Sequence, residues 1–181
     1  APELELMSAM QYDAATMGNH DFDNGLNGFA AQLPQASFPF LVANYDFSDT
    51  ILHKEIQPYT TIKKGRLKIG VFGLGIELKG LVPDRMYGDT VYLDPITKAQ
   101  ETANLLRYDE KCDLVICLSH LGYSYKDNKI SDKVLAASTS GIDLILGGHT
   151  HTFLDQPLSY KNCVGEEVLI NQVGWGGVML G

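Results

Sequence analysis

Met17-Gly18-Asn19-His20-Asp21-Phe22-Asp23-Asn24-Gly25 packs a carboxamide, an imidazole and two carboxylates into a few positions, with glycine on either side. Ser119-His120 and Gly147-Gly148-His149-Thr150-His151 carry related chemistry, so four of the five histidines stand in turns bearing glycine or serine, just after apolar runs. Convergent imidazoles and a carboxamide oxygen suit divalent transition metals, for which histidine is the usual ligand. Neighbouring glycines let a ligand and its ion approach the backbone closely. At extended spacing the His149 and His151 rings would point the same way and could serve neighbouring metals. A lone histidine beside a strand is commonly structural. Its recurrence at three strand ends changes the reading, because parallel strands bring their carboxyl ends to a common rim. His53 lacks that setting and reads as a surface residue.

The elements that must position these side chains are legible in outline. Pro2–Met10 reads as a helix with Leu6, Met7 and Met10 on one face, and the strand 14–17 delivers the first cluster. Asn24–Leu33 is helical in pattern, up to Pro34, and Phe40–Ala43 is a short strand buried on both faces. Segments 56–62 and 67–74 flank Lys63-Lys64-Gly65-Arg66 as a hairpin, whose first arm, beside Pro58, belongs at a sheet edge. Pro95–Tyr108, capped by Asp94, is the clearest helix. The strands 113–118 and 142–146 read as buried and deliver His120 and His149. A helix over 128–137 lies between them, and strands over 168–170 and 178–180 complete the chain. Strands alternating with helices mean α/β, in one domain over 1–181, with no internal repeat or linker.

Composition narrows the function classes. With 181 residues, 45% of them hydrophobic, the chain can bury a sizeable core. A net charge of −8 without any long basic run argues against a nucleic-acid or anionic-membrane surface. Lys63, Lys64 and Arg66, the densest basic spot, read as a solvated hairpin tip. No run is long and apolar enough to span a bilayer. Cys112, Cys117 and Cys163 include no CxxC, and the first two read as small core residues rather than zinc thiolates or disulfide partners. The abrupt start at Ala1-Pro2-Glu3 and the end on Val178–Gly181 suggest an excised piece of a longer protein, so a missing leader says little about location.

Gly18-Asn19-His20-Asp21, Ser119-His120 and Gly148-His149-Thr150-His151, in this order, resemble the later motifs of the calcineurin-like metallophosphoesterases. The run Gly18–Asn24 is similar to the signature of the 5′-nucleotidase branch. Supporting stretches extend nearly end to end, at Tyr12–Ala14, Ala43-Asn44, Lys68–Leu74, Leu118–Gly122 and Asn171–Gly177. Each motif is weakly specific alone, and the ordered set is strongly so.

The resemblance implies a sheet sandwich flanked by helices and a phosphoesterase using two divalent ions of the manganese, zinc or cobalt type. By it, Asn19, His120 and His149 bind one metal, and His151 belongs to the other. His20 faces the substrate phosphate, with Asp23 orienting its ring, and Asp21 is a nearby structural carboxylate. A nucleotide or related phosphate ester is the implied substrate, the parent protein is expected to be periplasmic or extracellular, and a separate C-terminal domain is expected to read the nucleoside. The family's Asp-x-His and Gly-Asp motifs, which should precede the opening helix, do not stand ahead of it here. The chain is therefore expected to lack its first strands, to expose an unpaired edge or apolar surface, to bind one metal or none, and to be weakly active or inactive. Two alternatives stay open: a cyclic-nucleotide phosphodiesterase, and a non-catalytic binding module that retains the fold.

Overall fold

The computed structural model describes residues 2–179. Helix α1 (Pro2–Ala9) leads to the short strand β1 (Ala15–Thr16), which pairs in parallel with β2 (Phe40–Leu41). Between them lie a 3-10 turn, Asn19–Phe22, and helix α2 (Gly25–Ala30). After β3 (Tyr45–Asp46) comes the hairpin of β4 (Tyr59–Lys64) and β5 (Leu67–Leu74), followed by α3 (Asp84–Tyr87), β6 (Val91–Tyr92) and α4 (Pro95–Asn104). Strands β7 (Leu114–Ser119) and β8 (Leu144–Gly147) are separated by α5 (Asp132–Ser138), and β9 (Leu158–Lys161) and β10 (Glu167–Asn171) close the chain.

Six strands form the main sheet, in the order β4-β5-β7-β8-β10-β9, while β3 and β6 pair separately. The central four are parallel, and the edges β4 and β9 are antiparallel. The hairpin and its edge position match the sequence reading, and Gly65 turns it with φ 62°. The parallel core ends in step, with Leu74 opposite Ser119, Ser119 opposite Gly147, and Asn171 opposite Leu146. This register is what brings the polar turns to one rim.

Helices α4 and α5 cover one face of the sheet through Ala99, Ala103, Leu135 and Ala136, packed on Val115, Cys117, Ile145 and Ile170. Asp94 caps α4 by accepting from Thr97 N at 2.8 Å, and a π-helical turn, Leu105–Asp109, extends it. On the other side β5 receives the β1–β2 pair. A Cβ at Gly73 would fall 1.7 Å from Leu41 O and 2.6 Å from Thr16 Oγ1, so only glycine permits this approach. A second apolar cluster, including Met17, Phe22, Phe29 and Phe40, fills that layer.

Several expectations are corrected. Strands β7 and β8 are fully buried only on the helix-facing side, because the small β1–β2 layer does not reach across the sheet. Leu146 and Leu169 on the other side are 40% and 41% exposed. In α1 the buried side chain is Leu4, while Leu6 and Met10 face solvent. The helix read over 128–137 begins at Asp132, where Ser131 caps it. Strand β9 went unrecognised, since Leu158–Lys161 is half polar. Val178 and Met179 are turn residues rather than strand, and Leu180 lies outside the described residues.

Candidate metal centre

Asn19 reaches the rim on the 3-10 turn after β1. Gly18 N donates to Asp21 Oδ2 at 2.7 Å, a bond that closes this turn and accounts for Asp21 as a local structural carboxylate. Burial raises the Asp21 pKa, partly opposed by that bond. His120 leaves the end of β7, its backbone N–H donating to Leu74 O at 2.8 Å. Its ring lies between two glycines: a Cβ on Gly18 would stand 2.6 Å from His120 Cε1, and one on Gly148 would stand 3.1 Å from Nδ1.

His149 follows β8 and meets the same point. Asn19 Oδ1 accepts from His120 Nε2 at 3.1 Å and from His149 Nδ1 at 3.0 Å. The two rings are edge to face, 5.2 Å between centroids. Burial foremost, then the neighbouring His149, His20 and His151, pushes the His120 pKa down to about 4. His149 is lowered too, by burial first and then by His151, His20 and Lys129. Both rings are thus neutral at physiological pH, as a ligand imidazole must be.

The loop after β8 does not continue the strand. His149 and His151 both adopt left-handed backbone, at φ 69° and 52°, which costs non-glycine residues on the order of 1–3 kcal/mol each. The shared ring direction expected from extended spacing is therefore corrected. His149 turns into the Asn19 cluster, while His151 stacks on Trp175, 6.0 Å between centroids. His20, beside Asn19, points outward, and its Nδ1 lies 3.0 Å from Asp23 Oδ2, with side chains 81% and 63% exposed. His53 is exposed, as read.

Sequence reasoning missed the support behind the rim. Ser119 donates to the buried Asp132 Oδ1 and accepts from Leu121 N at 3.1 Å. Burial raises the Asp132 pKa to about 7. Gln172, one residue beyond β10, bonds to three residues of the His149 loop. The only sequence signal for either was a polar residue placed next to a buried strand or cap.

Two neutral imidazoles and one amide oxygen, mutually within bonding distance, fit part of the coordination shell of one divalent transition ion. No carboxylate joins them: among the described residues, no three His, Cys, Asp or Glu side chains are grouped to hold a metal. His149 also lines a cavity of about 460 Å³, walled in part by Tyr92, Leu121, Tyr125 and Lys129, which is of small-ligand size.

Residues 2–153 match the calcineurin-like phosphoesterase family model, and the chain belongs to that family. It is 31% identical to the Trifunctional nucleotide phosphoesterase protein YfkN of Bacillus subtilis, over 99% of this chain and 14% of that protein. It is 35% identical to the Snake venom 5′-nucleotidase of Crotalus adamanteus, over 83% of this chain and 25% of that one. A solved 5′-nucleotidase precursor from Thermus thermophilus superimposes with a TM-score of 0.81 at 30% identity, over 94% of this chain and 34% of the other. The chain thus spans a third or less of the curated relatives it matches. The fold is that of the metallophosphoesterase part of 5′-nucleotidases, a sheet sandwich flanked by helices.

Proposed function

We propose that this chain forms one metallophosphoesterase domain of a metal-dependent phosphohydrolase acting on nucleotides. The observation that carries the reading is the meeting of Asn19 Oδ1, His120 Nε2 and His149 Nδ1 beside the His20–Asp23 pair. Asn19, His120 and His149 would hold one divalent ion, and His151 would belong to a second. Bound there, divalent ions supply Lewis acidity to a phosphoryl oxygen and make water a nucleophile near neutral pH.

The remaining steps belong to side chains on the page. Burial keeps the His120 and His149 rings neutral, so each could give its Asn19-facing nitrogen to a metal once the proton it donates to Asn19 Oδ1 moves to the ring's other nitrogen. Asp23 holds Nδ1 of His20, which directs Nε2 towards the open side of the turn, where a phosphate ester would lie. A protonated His20 in that position stabilises phosphoryl charge and can give its proton to the leaving alkoxide. Names of relatives support nucleotides as substrates, and the venom relative supports an exported location, periplasmic or extracellular. Reading of the nucleoside by a separate domain is the matching proposal.

The test is phosphate release from adenosine 5′-monophosphate and from its cyclic form with Mn2+, Zn2+ or Co2+. It compares this chain with a version extended upstream. The expected result is turnover of the open nucleotide by the extended version and little by this chain, whose sequence holds no Asp-x-His. Turnover of the cyclic form alone would favour a phosphodiesterase. No turnover by the extended version would favour the binding module.

A further inference from the structure

Gln172 is 2% exposed, and its carboxamide faces the loop that carries His149 and His151. Its Nε2 donates to Gly148 O at 2.7 Å, and its Oε1 accepts from Thr150 Oγ1 at 3.0 Å and from Thr152 N. These three bonds fall just before, between and just after the two left-handed histidines. Thr150 Oγ1 also accepts from Tyr123 N at 2.9 Å, which ties the loop to the segment that follows His120. The register places Gln172 there, since Asn171 is opposite Leu146 in the parallel pair of β10 and β8. Gly147 leaves the space: a Cβ on it would stand 3.0 Å from Gln172 Nε2 and 2.2 Å from Asp132 Oδ2.

A left-handed conformation at two L-residues in succession but one persists only where its surroundings fix it. The sequence offers no glycine at 149 or 151 to make it easy. We propose that Gln172 is the positioning residue of this centre: its buried carboxamide clamps the Gly148–Thr152 loop in the shape that aims His149 Nδ1 at Asn19. The clamp acts through the loop backbone and Thr150, without touching either imidazole. Its consequence for metal affinity rests on the ligand reading proposed above, whereas its consequence for the His149 ring does not.

Both consequences can be measured on the full chain with Gln172→Met, which keeps side-chain length and removes all three bonds. In the wild type without metal, the bond to Asn19 Oδ1 fixes the neutral His149 ring with its proton on Nδ1, readable from its nitrogen-15 shifts. In Gln172→Met, with circular dichroism unchanged, this signature should give way to the Nε2-protonated form that dominates in unconstrained histidine. Co2+ affinity, titrated with the metal alone, should fall about 10- to 100-fold. Persistence of the Nδ1–H signature in the variant would overturn the proposal, as would its loss with Co2+ affinity unchanged. If Gln172→Met does not fold, Gln172→Glu, which removes the bond to Gly148 O and keeps an oxygen facing Thr150 and Thr152, should shift the tautomer part of the way, and no shift would overturn it. A wild type that binds no Co2+ would sink the metal reading, while the ring signature still decides the role of Gln172.

Discussion

The Asn19–His120–His149 cluster and the His20–Asp23 pair share one turn of chain but have opposite physical character. In the first, rings are half-buried, neutral and fixed by bonds to one oxygen, with glycines against His120 and a clamped loop behind His149. In the second, two solvated side chains make a single contact at 3.0 Å. Groups that must present lone pairs are held in place and partly shielded from water, because a small misplacement costs affinity. A group that must exchange protons with a substrate stays wet and lightly tethered.

The largest expected effect breaks that comparison directly. On the proposed reading, His20→Asn should reduce phosphate release by the upstream-extended protein about 10²- to 10⁴-fold. Co2+ affinity and thermal stability should stay near wild type, since the His20 side chain is largely exposed and its contact with Asp23 is solvated. A parallel fall in Co2+ affinity would show that the two regions are not separate.

The next effect is in metal-free stability against pH. The His120 pKa is depressed from 6.5 to about 4. The stability of its neutral form is complete above 6.5 and is lost as pH falls to about 4, by about 3 kcal/mol at most. Asp132 opposes it, being raised from 3.8 to about 7, so its contribution is complete below 3.8 and is lost as pH rises through about 7. The two offset each other across the shared window. Urea unfolding of Asp132→Asn should therefore expose a steep loss of stability on acidification that the wild type masks. Parallel curves for the two proteins would count against the buried assignment of either group.

The smallest of the three sharpens the packing side. Gly18→Ala would push a methyl to 2.6 Å from His120 Cε1. With Gly148 behind the ring, it should destabilise the chain by about 1–3 kcal/mol. Calorimetry of the variant checks this, and an unchanged melting temperature would mean that the His120 ring is free to move.

Much of this was legible in the chain because it depends on local pattern. Apolar runs ended by glycine and histidine located β7 and β8. Gly65 and Pro58 located the hairpin and its edge, and Asp94-Pro95 started α4. The histidine turns could be placed at one rim, since parallel strands end together, whereas the grouping of Asn19, His120 and His149 and the pairing of His20 with Asp23 came from the family resemblance. Tertiary structure decided the rest. Spacing could not show that His149 and His151 diverge, because their left-handed backbone is imposed from a strand some twenty residues later in the chain by Gln172. Nor could it show that Asp132 is buried under Ser119, or that Gly73 lies against Leu41 O. Those contacts depend on sheet register and on which face each layer covers, and both are settled only when distant segments pack together.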